Sequence, residues 1–390
     1  VPTYVTTIEL SEPIRPIDLP PAAEGLLALL RFAGRPVGML RLRGSGRFSA
    51  EELRHGVGQQ FGPLPARLRP EPAIPAGPIS IVVCTHERPD DLERCLAALA
   101  PAAAAGHEVI VVDNAPRTGR TAAVAARFPF RYLVEPRQGL DHARNCGLAA
   151  ATHPIVAYTD DDAVPEPDWP AAISAPLADP AVACVTGLVM PLELETEAQE
   201  QFEWYCLGRR TFERRVFAAP ATPPSTAGVA GMGANMALRR ELALDLGGFD
   251  PRLDGGMPTC SGGDTDMFAR VLDAGAQIVY TPDALVWHRH RRDMRDLRDC
   301  IFGYGVGLSS VLTKRVLEQR DMRALVTAAR WWAGPPMKAA WRWLRGQPAP
   351  PAELVLREAA GVLFGPARLR RSAAAVRRLE RQPVLPHQTV

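Results

Sequence analysis

Three segments of the sequence carry residue types whose spacing could do chemistry. Asp160-Asp161-Asp162 sets three carboxylates in a row directly after an apolar run. Such neighbours repel one another unless something offsets their charge. Hard divalent cations do so, Mg²⁺ typically through one or two carboxylates plus substrate phosphates. The alternative is a solvated turn before Pro165, with an aspartate near Asp168 capping the next helix. Ser261-Gly-Gly-Asp-Thr-Asp-Met267 opens a helical pattern with Met267, Phe268, Val271 and Leu272 on one face. Its glycines let a substrate or backbone come close, and a carboxylate held there could act as a general base. Equally, Asp264 could be a plain helix cap, with Asp266 beside it in the first turn where the dipole favours anions. The third segment is Trp287-His-Arg-His-Arg-Arg-Asp293. In extended chain His288 and His290 point the same way, so either could complete a metal site or meet a phosphate. A solvated charge run is the bland reading.

The elements that must position these residues follow from the hydrophobic pattern. Ile79–Cys84, Val109–Val112 and Ile155–Tyr158 are short, continuous apolar runs, as expected for strands buried on both faces. Helical patterns over Asp90–Ala100, Thr121–Phe128 and Leu140–Ala150 lie between them. This alternation predicts βαβ units and an α/β fold with a mostly parallel sheet covered by helices on both faces. Ligands then belong at the carboxyl ends of the strands, where Thr85-His-Glu-Arg88, Asp113-Asn114 and Thr159-Asp-Asp-Asp162 fall. A further strand is expected over Gln277–Tyr280, followed by a turn at Thr281-Pro-Asp-Ala284.

Upstream, residues 1–75 read as a small α+β accessory domain. Tyr4–Leu10 is a strand, and Leu26–Phe32 and Val37–Leu42 flank a hairpin signal at Ala33-Gly34-Arg35-Pro36. Ser49 and Glu52 form a capping box that opens a short helix to about Phe61. The Pro-rich run Pro63–Pro78 reads as a linker. Residues 76–295 are the expected catalytic domain, and 296–390 a basic helical C-terminal region.

The 390 residues are 47% hydrophobic and 23% charged, which excludes global disorder. No run of about 18 uninterrupted apolar residues argues for a spanning helix. Val1-Pro2-Thr3 shows neither the basic nor the apolar region of a signal peptide, so a cytoplasmic location is expected. Seven cysteines, odd in number and without a C-x-x-C pair, fit reduced buried thiols better than disulfides or a zinc site. The formal net charge is +2, but residues 291–390 alone carry 19 Lys+Arg against 8 Asp+Glu, so the first 290 are net −9. Only Lys314 and Lys338 among the 45 basic residues are lysines, a bias of a GC-rich genome and no sign of nucleic-acid binding. Trp331, Trp332, Trp341 and Trp343, interleaved with Arg and Lys, suggest either a helical cap on the catalytic domain or a peripheral contact with the inner face of a membrane.

Together the motifs resemble those of the family 2 glycosyltransferases, which have the nucleotide-sugar-binding GT-A fold. The resemblance spans Ile79–Asp293. Ile81-Val-Val-Cys-Thr-His-Glu-Arg-Pro89 is similar to the first strand and its T-x-N-R loop, and Val111-Val-Asp-Asn114 to the second strand. Gly139-Leu-Asp-His-Ala-Arg-Asn-Cys-Gly147 is similar to the G-x-x-x-A-R-N-x-G segment. Ala157-Tyr-Thr-Asp-Asp-Asp162 matches the D-x-D strand. Gly231–Arg239 resembles the donor/acceptor loop, and Ser261-Gly-Gly-Asp-Thr-Asp266 the G-E-D-x-D catalytic segment. In that segment Gly263 stands where the family usually has glutamate, so an acidic contact beside the catalytic aspartate is missing.

The resemblance implies an inverting transfer of a hexosyl-type sugar from a nucleoside-diphosphate donor, most simply a UDP-sugar. Asp113 would meet the base, Thr85 and Glu87 the base and ribose. Arg88, Arg144 and Asp161 would lie at the nucleotide. Asp162, with Asp160 or Asp161, and His288 from the far side would hold Mn²⁺ or Mg²⁺. Asp264 would be the general base, with Asn235, Gly263 and Asp266 in the loops around donor and acceptor. The acceptor could be a glycan, a lipid or a natural-product scaffold. A nucleotidyltransferase or dinucleotide oxidoreductase would show a glycine-rich loop after the first strand, which Thr85-His-Glu-Arg-Pro89 lacks. A non-catalytic nucleotide-sugar binder on the same fold is the other alternative.

Overall fold

The computed structural model describes residues 2–61, 77–206, 210–347 and 349–381. Most of the Pro-rich run from Pro63 lies outside the described residues. The N-terminal segment contains β1 (Thr3–Glu9), β2 (Ile17–Asp18), β3 (Gly25–Phe32), β4 (Arg35–Arg43), β5 (Arg47–Phe48) and α1 (Ala50–Phe61). β3 and β4 form the expected antiparallel hairpin, and β1 joins β3 in parallel. The capping box forms as read: the Ser49 backbone N–H donates to Glu52 (2.8 Å), and the Glu52 N–H donates to Ser49 Oγ (3.2 Å). Leu26, Leu30, Leu40, Leu53 and Val57 make the core beneath this sheet.

Seven elements then alternate as β6 (Ser80–Thr85), α2 (Pro89–Ala104), β7 (Glu108–Asn114), α3 (Arg120–Ala125), β8 (Arg131–Glu135), α4 (Leu140–Ala150) and β9 (Ile155–Asp160). They are followed by β10 (Ala163–Pro165), α5 (Trp169–Ser174), β11 (Val182–Pro191), α6 (Glu197–Cys206), β12 (Arg215–Phe217) and β13 (Asn235–Arg239). Next come α7 (Arg240–Asp245), α8 (Gly263–Asp273) and β14 (Gln277–His288). The nine strands β6–β14 form one sheet in the order β10-β14-β11-β13-β9-β6-β7-β8, with β12 also on β14. β6, β7, β8 and β9 pair only in parallel among themselves, and β11 and β14 run the same way. β13 is inserted antiparallel between β9 and β11, and β10 and β12 lie antiparallel on β14.

Both faces of this sheet are covered, which is why its central strands carry near-continuous apolar runs. Ile81, Val83 and Val111 pack with Leu92, Leu96 and Trp169 on one face. Val82, Ile110 and Val112 pack with Ala143, Phe249 and Phe268 on the other. Each such fully buried aliphatic side chain contributes about 1.5–3 kcal/mol relative to exposure.

Two expectations shift. α3 stops at Ala125, three residues before Phe128. The supposed turn at 281–284 lies inside β14, where Gly187 pairs with Thr281 and Leu188 with Leu285. Pro282, Asp283 and Ala284 therefore bulge out of the ladder. The bulge is held from two sides: Asn235 Nδ2 donates to the Ala284 carbonyl (2.7 Å), and Arg35 Nε to Asp283 (2.9 Å). Leu29 of β3 packs with Leu188, Tyr280 and Leu285, so the N-terminal sheet sits against the strand that ends at His288.

The C-terminal helices are α9 (Met294–Glu318), α10 (Arg323–Ala333), α11 (Pro335–Leu344) and α12 (Ala352–Glu380). α9 and α12 pack side by side, with Ser310 Oγ donating to the Gly365 carbonyl at 3.1 Å. α10 and α11 bury only Ala324 and Ala339. None of the seven cysteines, all among the described residues, is in a disulfide. Cys84, Cys95, Cys184 and Cys206 are buried as expected, but Cys260 is exposed, because it lies on the loop entering α8 rather than in a packed element.

Candidate active site

The strand ends gather the predicted residues along one edge of the sheet. β9 delivers Asp160, and the short step to β10 turns Asp161 and Asp162 in different directions. Asp161 is buried, accepts from Thr85 Oγ1 (2.8 Å) and faces Arg88 Nη1 at 3.3 Å. Burial pushes its carboxyl up to about 7 against the pull of Arg88. It braces the loop after β6 and does not join the cation-binding group. Asp162 faces the other way. Its Oδ2 accepts from Arg88 (2.8 Å), and its Oδ1 lies 3.1 Å from His288 Nε2. Burial raises its pKa, but His288, Arg88 and Arg291 outweigh that and hold it below the ordinary carboxylate range. His288 reaches Asp162 because Ala163 pairs with His288 where β10 meets β14.

Asp160, Asp162 and His288 each offer one ligand atom, and these atoms lie within 4.8 Å of one another. Asp162 Oδ1 is buried and faces the imidazole alone at ion-pair distance. Carboxylate oxygens with one imidazole, converging in this way, suit Mn²⁺ or Mg²⁺. The donor set therefore fits the metal that the sequence implied. Asp168 stands before α5 without a side-chain cap bond, so the capping alternative for the aspartate run is not what forms.

Asp264 is not the cap of α8. That position is Gly262, with φ +116°, and Asp264 is the second helical residue. Its Oδ2 accepts from the Gly233 N–H (2.8 Å) and its Oδ1 from the Thr265 N–H (2.7 Å). The carboxylate thus bridges α8 to the 231–239 segment. Gly233 has to be glycine there, since a Cβ would come 2.5 Å from Arg144 Nη2. Arg144 is buried on α4, bonded to Asp141 Oδ1 at 3.0 Å, with its guanidinium 5.4 Å over the Phe249 ring. Asp160, His288, Asp264 and Arg144 line one cleft of about 250 Å³, joined by Asp254, Ser261, Arg291 and Tyr304.

Other predicted residues take different stations. Asp113 is buried at the end of β7, with Oδ2 accepting from Tyr132 O–H (2.7 Å) and Oδ1 unpartnered. Burial raises its pKa against that bond. Glu87, at φ +53°, accepts from the Arg117 and Thr118 N–H groups (2.7 and 2.9 Å) and ties two strand-end loops together. Asn235 is saturated: it accepts from Trp169 Nε1 (2.8 Å) and donates to the Leu188 and Ala284 carbonyls. Asp266 points away from the cleft, paired with Arg270 and with Lys314 of α9, both at 2.8 Å. His290 also lines the cleft but is not in the cation-binding group: its ring lies 3.4 Å from Glu203, and burial lowers its pKa to about 4.

Two buried acids beside the cleft escaped the sequence reading. Asp141 stands within the segment Gly139–Gly147, yet only its arginine drew attention. Asp254, whose Oδ2 accepts from the Asp141 N–H (2.6 Å), sits in an irregular loop 113 positions away. For Asp141 the signal was an acid two residues after a glycine at a helix start; for Asp254 there was none.

A model described as glycosyl transferase family 2 matches residues 80–244. The chain is 31% identical over 277 residues to a pre-mycofactocin glycosyltransferase of Mycobacterium tuberculosis, covering 68% of this chain and 56% of that protein. It thus spans little more than half of that relative's length. An uncharacterized glycosyltransferase of the same organism is 32% identical over 201 residues, 51% of this chain and 80% of that protein. Among solved structures, a mannosyltransferase from Pyrobaculum calidifontis in complex with GDP-Man and Mn²⁺ aligns at 21% identity and TM-score 0.46, covering 86% of this chain and 84% of that one.

Proposed function

Because the chain belongs to glycosyl transferase family 2, we propose that it transfers a sugar from a nucleoside-diphosphate donor, a UDP-sugar, to an acceptor hydroxyl with inversion. The observation that carries this reading is one cleft lined by Asp160 and His288, which converge with the buried Asp162 as a cation-binding set, and by a separate carboxylate, Asp264. The free Oδ1 of Asp113 accepts a base N–H. Thr85, Arg88 and Asp161 brace the loop that faces the diphosphate, and Glu87 fixes its neighbour. Asp160, Asp162 and His288 would hold the divalent cation, which supplies Lewis-acid neutralisation of charge on the departing diphosphate. Asp264 takes the proton of the acceptor hydroxyl. The hydroxyl oxygen bonds to the anomeric carbon on the face opposite the leaving group, and the bond pair departs with the diphosphate. Asn235 and Asp266 act on the loops that present Asp264, not on substrate.

Thermal unfolding with a panel of nucleotide sugars, each with and without Mn²⁺, tests this. A UDP-sugar with Mn²⁺ should raise Tm, since ligand at 100 times its Kd stabilises by about 2.7 kcal/mol. A panel with no stabilising member, or one in which Mn²⁺ is irrelevant, would contradict the reading.

The face left open by α10 and α11 supports a second contact. No described helix is long and apolar enough to cross a membrane. Yet Leu325, Val326, Trp332, Met337, Trp341 and Leu344 are exposed on these helices, among Arg323, Arg330, Lys338 and Arg345. We propose that this face lies on an anionic membrane surface, with tryptophan at headgroup depth. The protein should float with phosphatidylserine-containing vesicles at low salt and lose binding as salt rises. Absence of flotation at low salt would remove the proposal.

A further inference from the structure

Position 263 and Asp141 compete for one space. A Cβ built on Gly263 would fall 1.8 Å from Asp141 Oδ2 and 2.6 Å from its Cγ, so no side chain fits while Asp141 stands where it does. Asp141 is fully buried at the start of α4, 122 residues earlier in the chain. One of its oxygens bonds Arg144 at 3.0 Å; the other has no hydrogen-bond partner. A buried, unpartnered carboxylate oxygen is costly, and such groups persist where they serve a purpose. What Asp141 reaches is clear: Arg144 runs from it to the ring of Phe249 and to the edge of Gly233, the residue whose N–H is bonded to Asp264. Asp141, Arg144 and the Gly233–Asp264 pair are thus neighbours beside the cleft, which Arg144 and Asp264 both line.

We propose that Asp141 is a positioning residue for the transfer: from α4 it supplies the acidic group that the catalytic segment lacks at position 263, and it sets Arg144 against the Gly233–Asp264 pair. The inference rests on the glycosyltransferase reading. With Asp141 on the facing helix, glycine at 263 is the steric consequence. Asp254 takes part by accepting the Asp141 N–H, which fixes the first turn of α4. Asp141 is shut off from the cleft surface, so it acts through Arg144 and not on the acceptor itself.

The test is a set of four full-length variants: Asp141→Asn, Asp141→Gly, Gly263→Glu, and Asp141→Gly combined with Gly263→Glu. Asp141→Asn keeps the shape and should lower kcat about 10–100-fold, as for a partner that orients an active group, with KM for the donor within about twofold. A merely structural role would lower Tm and leave kcat per folded molecule unchanged. Gly263→Glu alone should lose both Tm and activity, because two carboxylates then occupy one space. The double variant should recover at least tenfold in kcat over Gly263→Glu and regain Tm beyond the sum of the single effects, the signature of coupled neighbours. An Asp141→Asn enzyme with unaltered kcat, or a double variant no better than Gly263→Glu, overturns the inference. A wild type that transfers no sugar overturns the underlying reading instead.

Discussion

Asp264→Asn is expected to slow sugar transfer by about 10²–10⁴-fold, the usual worth of a positioned base, while UDP-sugar titration stays close to wild type. Two structural facts sharpen this expectation. Asparagine retains a carbonyl oxygen for the Gly233 N–H, so the bridge between α8 and the 231–239 segment survives. The helix cap is Gly262, so the substitution does not touch it. What disappears is the ability to accept a proton near neutral pH. Single-turnover transfer and donor titration on the same sample separate the two effects. Near-normal transfer would strip Asp264 of its role. Asp266 would be a poor successor, since Arg270 and Lys314 hold it on the far side of the helix.

Asp162→Ala should do the opposite and act on the donor. Asp162 is the carboxylate common to His288, Arg88 and Arg291, so its loss removes one of the three converging groups and takes a shared partner from both arginines. Mn²⁺-dependent UDP-sugar affinity should fall by at least about 10²-fold, beyond the 10–100-fold typical of outer-shell changes. His288→Ala should cost less, because the diphosphate and water can fill one coordination position. Calorimetric titration in Mn²⁺ and in excess EDTA reads both. Wild-type transfer at full rate in EDTA would show that the acidic cluster serves no metal.

The half of the sheet that bears the nucleotide-side residues was legible because its strands are buried on both faces and alternate with amphipathic helices. Asp113, Asp160 and Thr85 fall at strand ends once those strands are drawn. β13 was not legible as a strand. Its five residues read as a loop because the strand is defined by partners 76–84 positions upstream in β9 and about 52 upstream in β11, not by its own pattern. Pro282-Asp283 reads as a turn in any local window. Only Asn235 and Arg35, from two distant strands, make it a bulge. Motif reading grouped Asn235 and Asp266 with the substrate loops. Burial and saturation make them supports, and neither property is written in the residue type. The pairing of Asp141 with Gly263 was hidden for the same reason: the missing glutamate was visible, its replacement was not.

The bulge in β14 also decides which residue meets Asp162 at the candidate cation site, through the parity of its length. Before it, Val279 faces the cluster containing Trp169, and Tyr280 faces the cluster containing Leu29. After it the assignment is inverted: Val286 joins the first cluster, Leu285 and Trp287 the second. Side chains alternate with period two, so three extra residues exchange odd for even, whereas two or four would not. His288 shares the parity of Val286. With an even surplus, Trp287 would turn toward Asp162 and the histidine toward the N-terminal sheet. A one-residue slip in the pairing of β14 with β11 beyond Thr281 is therefore of a different kind from a change in a surface loop, because it would swap the chemistry offered to the cleft without altering any residue that lines it.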